Sequence, residues 1–449
     1  MLKRKISGQL NEWKSGSRDK CLIVEGARQV GKTFIIREFG RSNYESFIEL
    51  NFLENPSLQN IFSGDLDAST ILTGISLYMP GTRIVNGRTL LFLDEVQECP
   101  QAVTALKFLA ADERIDVICS GSALGMIYNQ VSSYPVGSVE HLMMYSLDFE
   151  EFLWALGVSE DTVADIRRYF PAAGETPVKV PDAIHDRMMQ YLRQYIVIGG
   201  MPETVQTFTD SGDYYAADMV QRRLYQDYLL DIARYASPDV RIRAEKCYRA
   251  IPQQLSKDNH KFQYSKVEHN GTSGRFETCI DWLVSAHMAV PVHNVTRIEY
   301  PLGAFAVDNN FRLYYHDIGM LISTYGYELK AAILNDSDFE SSPDSVVLGT
   351  AKGGIYEALA ADMLHKSGIR DLHFYRNETG TREMEFLLEN SDGVVPVEIK
   401  AGRTGTKSMN AILKDERIRY GYKFASQNSG LKDKKYTLPL YMMMFAFAM

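Results

Sequence analysis

The chain has 449 residues, of which 45% are hydrophobic and 23% are charged. Both fractions are ordinary for globular proteins, so the composition excludes fibrous and intrinsically disordered proteins, and the length predicts two to four domains. The formal net charge is −9 at pH 7. An acidic chain lacks the overall basic footprint of many nucleic-acid-binding proteins, so any contact with nucleic acid has to come from a local patch.

The cysteines and the two ends of the chain bear on its compartment. The five cysteines are an odd number and include no C-x-x-C pair, which favours buried thiols in a reducing compartment. No apolar segment follows the basic start within residues 8–20, so we do not expect a signal peptide. The apolar run 438–449 is too short to span a bilayer, and we predict that it forms a terminal strand. We therefore expect a cytoplasmic protein with no membrane partner.

A glycine-rich motif follows the first predicted strand. Residues 22–24 are apolar, and residues 26–33 match the pattern G-x-x-x-x-G-K-[ST] in full. Such a loop points successive backbone N–H groups and the positive end of a helix dipole at a phosphate chain. We expect Lys32 to reach the β- and γ-phosphates and the Thr33 hydroxyl to bind Mg²⁺. A plain glycine turn is the alternative. The predicted nucleotide-binding residues are Gly26, Ala27, Arg28, Gln29, Val30, Gly31, Lys32 and Thr33.

Two further predicted strands end in polar residues that complete this site. A predicted apolar strand over residues 89–95 ends in two adjacent carboxylates, and we expect Asp94 to bind Mg²⁺ and Glu95 to deprotonate the attacking water. Ser120 ends another buried strand, where ligands bind in open α/β sheets, so it is predicted to sense the γ-phosphate. The alternatives are a solvated acidic pair and a serine turn without a role. The predicted catalytic residues are Lys32, Glu95 and Ser120.

Four stretches together resemble a prokaryotic branch of AAA-type P-loop ATPases whose members are fused to a C-terminal domain of uncharacterised function. They are residues 25–33, 91–97, 119–122 and 147–153. The resemblance implies an α/β fold with a parallel sheet, ATP and Mg²⁺ as cofactors, and ATP hydrolysis. In relatives, the stretch before the last motif often carries Gly-Arg or Gly-Lys, where this chain has Gly-Ser at residues 137–138. No arginine finger is therefore assigned, and slow hydrolysis is expected.

The chain after residue 155 is predicted to hold three more domains. Helical periodicity over 156–237 indicates a lid, in which Pro202 resembles the Gly-x-Pro element that related ATPases place against the nucleotide base; a helix break is the alternative. Residues 238–300 resemble a winged helix. Its third helix, 274–286, contains one basic residue, so protein contact is at least as well supported as base reading. Residues 301–449 form the last predicted domain.

This last domain carries a second candidate site. A predicted amphipathic helix over 352–364 precedes three predicted strands, an order similar to the PD-(D/E)xK nuclease fold. Glu398 and Lys400 share one face of a strand, because side chains alternate along it. Two carboxylates and a lysine at a strand edge can bind Mg²⁺ and activate a water for phosphodiester cleavage. A salt bridge on a solvated hairpin is the alternative. The predicted second Mg²⁺ site comprises Glu357, Glu385 and Glu398, with Lys400 as a catalytic group.

The sequence thus supports two hypotheses. The first is an Mg²⁺-dependent ATPase that acts as a switch or motor on or near DNA. Residues 401–449 carry nine basic and three acidic side chains and would provide the DNA contact, although a charge run is usually a solvated face. The alternative is a nucleotide-gated switch that binds a protein partner, with weak or no hydrolysis and an inactive nuclease-like domain. Homo-oligomers are compatible with both hypotheses.

Overall fold

A computed structural model describes residues 2–16, 19–122, 134–256, 259–335, 351–400 and 407–446. The chain divides into two compact units. The first unit comprises Arg4–Ser146 and Ser285–His287, and the second comprises Met1–Lys3, Leu147–Val284 and Met288–Met449.

The first unit is built from strands that alternate with helices. Its helices are α1 (Ile6–Ser15), α2 (Lys32–Asn43), α3 (Ala68–Tyr78) and α4 (Pro100–Leu109), with 3-10 segments at Pro56–Phe62 and Val96–Glu98. Its strands are β1 (Cys21–Glu25), β2 (Ser46–Asn51), β3 (Thr89–Asp94), β4 (Ile115–Gly121) and β5 (Val139–Met143).

These five strands form one parallel sheet in the order β2-β3-β4-β1-β5. Every residue of β3 and β4 is buried, as expected for parallel strands that are covered on both faces. The predicted α/β class with a parallel sheet is therefore confirmed. Because parallel strands end at one edge of a sheet, the residues that follow β1, β3 and β4 come together there.

The second unit begins with a helical segment. Asp148 caps α5 through its side chain, and Glu151 completes the capping box. The helices are α5 (Phe149–Ala155), α6 (Glu160–Arg167), α7 (Asp182–Ile198), α8 (Pro202–Ser211), α9 (Tyr214–Tyr235), α10 (Arg241–Leu255), α11 (Tyr264–Val267), α12 (Ser273–Ser285), α13 (Ile318–Ile322), α14 (Tyr327–Leu334), α15 (Ala351–Lys366), α16 (Lys407–Ile412) and α17 (Met443–Ala446).

A mixed eight-stranded sheet forms the rest of the second unit, in the order β12-β13-β11-β10-β9-β8-β6-β7. Neighbours β10 and β11, β11 and β13, and β6 and β8 run parallel, whereas the other neighbours run antiparallel. The strands are β6 (Ala289–Val295), β7 (Ala306–Tyr315), β8 (Leu372–Arg376), β9 (Glu383–Asn390), β10 (Gly393–Lys400), β11 (Gly421–Ala425), β12 (Gly430–Lys432) and β13 (Lys435–Pro439).

Two local predictions for the second unit are wrong. The apolar run 438–449 does not continue as a strand: β13 ends at Pro439, and a 3-10 turn and α17 follow. Proline has no N–H to donate to a ladder, which accounts for the end of the strand. Residues 447–449 lie outside the described residues. The predicted amphipathic helix is α15, which is buried on nearly all sides rather than on one face.

The domain boundaries that we predict after residues 155, 237 and 300 stay predictions. The two compact units divide the chain near residue 147, and the predicted boundary at 300 lies between β6 and β7, which pair with each other in one sheet. All five cysteines are free and buried, as predicted. Among the helices in the described part of the chain, none has the length and apolar composition that a membrane span requires.

Candidate nucleotide site

The glycine-rich loop joins β1 to α2, as its motif predicts. Gly26 has φ +144°, and Gly31, which directly precedes α2, has φ +100°. Gly26 is required by space as well as by its dihedral angle, because a Cβ atom there would lie 2.1 Å from the carbonyl oxygen of Met144. That close approach is fixed by the backbone N–H of Met144, which donates to Glu25 at 2.8 Å. The loop backbone is thus held against the end of β5.

The side chain of Lys32 lies under this loop. Its Nζ donates to the carbonyl oxygens of Gly26 at 2.8 Å and Ala27 at 2.7 Å, and the residue is buried. Burial lowers the pKa of Lys32 to about 8, against the opposing effect of the Glu95 carboxylate. Among the described residues, this buried ammonium bonds only to uncharged carbonyl groups, so it is well suited to gain an anionic partner such as a phosphate.

Asp94 collects three donors from three other elements. The Thr33 hydroxyl, on α2, donates to its carboxylate at 3.0 Å, and Asn51 Nδ2, at the end of β2, donates at 3.0 Å. The Ser120 hydroxyl, on β4, also hydrogen-bonds to this carboxylate. Burial raises the pKa of Asp94, although these hydroxyl groups oppose the rise. The site therefore brings together a hydroxyl oxygen and carboxylate oxygens, the ligands that Mg²⁺ prefers.

Glu95 follows Asp94 with an unusual backbone. Its φ is +53°, in the left-handed region that few residues other than glycine adopt. Such strained positions are frequent at functional sites. The side chain is partly buried and accepts a hydrogen bond from Gln97 Nε2. Glu95 is thus a carboxylate of fixed direction beside the predicted Mg²⁺ ligands.

The other residues of the motif have structural partners as well. The Arg28 Nε group donates to the Ser122 hydroxyl at 3.1 Å, while Gln29 is exposed with φ +61°. Val30 is fully buried, and its carbonyl oxygen accepts from Arg4 Nη1 at 3.0 Å. The second arm of the same guanidinium donates to the carbonyl oxygen of Tyr145 at 2.6 Å.

Arg4 and Asn51 were absent from the sequence prediction. Asn51 could have been found from the sequence, because ligands of open α/β sheets bind at the carboxyl ends of strands. It is the last residue of β2, which pairs with β3. Arg4 has no such signal, since it lies before α1 and outside any motif. Its buried side chain braces the glycine-rich loop and the chain that follows β5.

Comparison with known families agrees with this geometry. Residues 18–153 match a family model described as an AAA domain. The N-terminal part of the chain is an AAA-type P-loop domain. Residues 189–330 and 352–442 match two domains of unknown function, DUF8612 and DUF4143. No curated protein matches the chain.

The solved structures that match this chain share little sequence with it. The Walker-type ATPase PABY2304 of Pyrococcus abyssi shares 13% identity, with 72% of this chain and 95% of that chain covered and a TM-score of 0.44. The Aeropyrum pernix Orc1 protein in complex with DNA shares 11% identity over 70% and 89%, with a TM-score of 0.28. Cdc6p from Pyrobaculum aerophilum shares 14% identity over 64% and 86%, with a TM-score of 0.24.

Pro202, predicted to contact the base, is the first residue of α8 in the second unit. The two glycines before it have structural roles in that unit. A Cβ atom on Gly200 would lie 2.0 Å from the carbonyl oxygen of Leu147, and one on Gly199 would lie 2.4 Å from Asp317. This loop therefore needs glycine for packing within the second unit, as the helix-break alternative requires. The contact of Pro202 with a base stays a prediction.

Three members of the second candidate site, Glu385, Glu398 and Lys400, lie close together. The register that pairs Phe386 with Val397 brings Glu385 on β9 beside Glu398 on β10. Lys400 Nζ lies 2.7 Å from Glu385 Oε1 and 3.7 Å from Glu398 Oε1. Burial raises the pKa of Glu385 to about 7 and also raises that of Glu398, while Lys400 opposes both shifts. Each carboxylate has a buried Oε2 atom without a hydrogen-bond partner among the described residues.

Glu357, the fourth predicted member, is engaged elsewhere. Its Oε2 accepts from Arg312 at 2.8 Å, His260 at 2.8 Å and Tyr314 at 3.1 Å. Burial alone would raise the pKa of Glu357, but Arg312 and His260 hold it at about 2. Within the ranges that the structure describes, no group of three or more His, Cys, Asp or Glu residues is arranged to hold a metal ion. The ligand role of Glu357 stays a prediction that its pairing with Arg312 does not favour.

Much of the predicted basic stretch is already paired. Arg417 forms ion pairs with Asp415 and Glu299, and Arg419 pairs with Asp392. Lys434 donates to two backbone carbonyl groups, and Lys423 is buried. Arg403 lies outside the described residues. These contacts leave fewer free cations than the sequence count suggests.

Proposed function

We propose that the chain is an Mg²⁺-dependent ATPase that acts as a switch or motor on or near DNA. The observation that carries the proposal is the contact of the Thr33 hydroxyl with the Asp94 carboxylate at 3.0 Å, beside a glycine loop that excludes any side chain at Gly26. These groups come from separate elements of the AAA domain and meet at one edge of its sheet, which supports a nucleotide–metal pair there.

The residues present fit ATP and Mg²⁺. Thr33 and Asp94 would hold the metal, which supplies charge neutralisation on the phosphates when bound. Lys32 would leave the carbonyl groups of Gly26 and Ala27 for the phosphate chain, a better partner for an ammonium. The remaining loop residues, Arg28 to Gly31, would present backbone N–H groups to the same phosphates.

The proposed chemistry is attack of water on the terminal phosphate. Glu95 would orient that water and accept its proton, and Ser120 would report the presence of the γ-phosphate to Asp94, with which it shares a hydrogen bond. The proton would then end on the Glu95 carboxylate.

One observation favours the alternative, a nucleotide-gated switch with weak or no hydrolysis that binds a protein partner. Glu95 is hydrogen-bonded to Gln97 and must exchange this partner for water before it can act as a base. The Gly-Ser pair at 137–138 also favours this alternative, because neither residue carries a positive charge that could stabilise the transition state. A homo-oligomer could supply such a group from a second copy.

The test separates binding from turnover. Glu95→Gln should abolish hydrolysis while ATP still binds, because it removes the base and keeps the shape of the site. Lys32→Ala should abolish hydrolysis and weaken binding. Glu98→Gln and Lys107→Ala, outside the site, are the matched controls. Turnover that persists in both site variants would contradict the assigned roles.

The carboxylate–lysine cluster supports a second candidate activity, Mg²⁺-dependent cleavage of a phosphodiester. The observation in favour is that Glu385 and Glu398 each keep a buried oxygen without a partner in the described part of the chain, on either side of Lys400. Incubation of the protein with labelled DNA and RNA in Mg²⁺ tests this candidate. Cleavage lost in Glu398→Gln would support it, and the absence of cleavage in the wild type would leave an inactive nuclease-like domain.

A further inference from the structure

A polar groove lies in the second unit, and none of its lining residues belongs to either candidate site. It has a volume of about 740 Å³ and is lined by residues of β6, β7 and β8, of the segments that directly follow β6 and β8, and of the loop before α11. This volume is within the ordinary range for small-ligand sites. All of its lining residues belong to one compact unit.

The lining of the groove favours an anionic, hydrogen-bonding ligand. Lys261 and Arg376 are basic, and Glu378 is the single acidic side chain among the residues that line it. Val307 and Tyr375 add limited apolar surface, while Phe374 is buried beneath the guanidinium of Arg312. Two cations and several amide and hydroxyl groups in this lining suit phosphate and sugar.

Three of these groups have unused hydrogen-bonding capacity. Within the described residues, the side chains of Lys261 and Asn310 form no hydrogen bond or ion pair, although both are partly buried. The Arg376 side chain donates no hydrogen bond to another described residue, and its ion-pair partner, Glu383, lies 3.6 Å from Nη1. A partly buried hydrogen-bond donor without an acceptor costs free energy, so a ligand that accepts a hydrogen bond from it gains affinity.

The groove lies on the sheet face that carries the carboxylate–lysine cluster. Arg376 is opposite Glu383 in the register of β8 and β9. Glu385 follows two residues later, on the same face of β9 and roughly 7 Å further along the strand. The loop before α11 makes a second link, because His260, between the lining residues Asn259 and Lys261, contacts Glu357 at 2.8 Å.

From this placement and chemistry, we infer that the groove binds a nucleotide unit through its phosphates. Lys261 and Arg376 contact the phosphates, and the Asn310 amide hydrogen-bonds to the sugar or the base edge. The unit belongs either to a single nucleic-acid strand that leads to Glu385 and Glu398, or to a free nucleotide. The inference rests on the proposed nucleic-acid partner and assigns it a site outside the basic stretch 401–449.

The test is binding of a fluorescent oligothymidylate to the full-length protein in EDTA, so that no cleavage occurs, measured by anisotropy. Asn310→Asp is the most informative variant. It is nearly isosteric and breaks no hydrogen bond with another described residue. It replaces an amide donor to the sugar or the base edge by a carboxylate in a groove that binds phosphates, so binding should weaken roughly tenfold. Asn309→Asp makes the same change at an exposed neighbour that does not line the groove, and should bind like the wild type.

A salt titration tests the lysine. Lys261→Gln removes one phosphate contact and should reduce the slope of log affinity against log salt by about 0.7, the value for single strands. Lys179→Gln, at an exposed position outside the groove, is the matched control and should leave the slope unchanged. Competition with deoxythymidine 3′,5′-bisphosphate distinguishes a strand from a free nucleotide.

The outcomes separate clearly. Strand binding that is weakened by both groove variants and by neither control supports the groove, with a strand as its ligand. Bisphosphate binding that is lost in the groove variants while strand binding is unchanged supports a free nucleotide. The inference is overturned if the wild type binds neither probe, or if the groove variants bind both probes as the wild type does. Hydrolysis of ATP without DNA should be unchanged in all four variants, so failure of the ATPase proposal would be recognised separately.

Discussion

The Thr33 hydroxyl donates to the Asp94 carboxylate at 3.0 Å although the two residues are 61 positions apart in the chain. The contact depends on the strand order of the AAA domain, in which β3, β4 and β1 are successive neighbours and end at one edge. Asp94→Asn would keep the shape and one of the oxygens but remove the charge that attracts a divalent cation. We expect this variant to bind ATP in EDTA like the wild type and to lose the gain in affinity that Mg²⁺ provides. Calorimetric titration with and without Mg²⁺ measures this, and an undiminished Mg²⁺ effect would exclude Asp94 as a ligand.

The close contact between Gly26 and Met144 predicts that the glycine loop does not tolerate a larger residue at position 26. Gly26→Ala places a methyl group 2.1 Å from the carbonyl oxygen of Met144, at a φ of +144° that alanine rarely adopts. The loop has to move, so nucleotide binding should be lost, and the free energy of unfolding of the first unit should fall by about 1–3 kcal/mol. Gly64→Ala is the matched control, because its added Cβ meets no atom within 4 Å. Equal nucleotide affinity in the two variants would contradict the role of this close approach.

A buried ion network in the second unit gives a prediction about stability. Lys366 Nζ lies 2.9 Å from Asp317 and 2.7 Å from Asp362, and it donates to the Tyr195 hydroxyl and to the carbonyl oxygen of Leu147. Lys366→Met leaves two buried carboxylates without their cation and should cost about 3–5 kcal/mol.

Adding Asp362→Asn to Lys366→Met removes one of these charges and should recover part of the lost stability. Urea unfolding followed by fluorescence measures both variants. A double variant that is less stable than Lys366→Met alone would show that the charges are not the cause.

Glu357 gives a prediction about pH. Its pKa is about 2 in the folded chain, because Arg312 and His260 outweigh the opposing effect of burial, against an ordinary value of 4.5. A lowered pKa means that this group stabilises the fold fully above pH 4.5, and that the contribution is lost as the pH falls toward 2. Glu357→Gln should therefore unfold at lower urea concentration at pH 7 and show a shallower loss of stability between pH 4.5 and 2. Glu416→Gln, at an exposed position, should retain the wild-type pH profile.

The parts of the molecule that the sequence predicts well are local. The strands Cys21–Glu25 and Thr89–Asp94 each contain a continuous apolar run, and the glycines of the loop adopt the positive φ that their motif demands. These features depend on neighbouring residues and on one parallel sheet, so periodicity and spacing are sufficient to find them.

The parts that the sequence misses depend on distant pairings. Arg312, on β7, is fully buried and bonds to Glu357 on a helix 45 residues later. The pairing of β6 with β8 joins Val292 to Leu372 across the intervening helices. A charged residue on a strand does not indicate its ion-pair partner, and a short apolar segment does not indicate its neighbouring strand. Tertiary packing determines both.

The central claim is tested most directly by steady-state hydrolysis of ATP in Mg²⁺, for the wild type and Lys32→Ala, with and without single- and double-stranded DNA. We predict phosphate release by the wild type that DNA increases and that Lys32→Ala abolishes, because Lys32 is the cation under the glycine loop. Phosphate release at the same rate in both proteins would contradict an ATPase site at this loop. Tight ATP binding without turnover, indifferent to DNA, would instead support the nucleotide-gated switch.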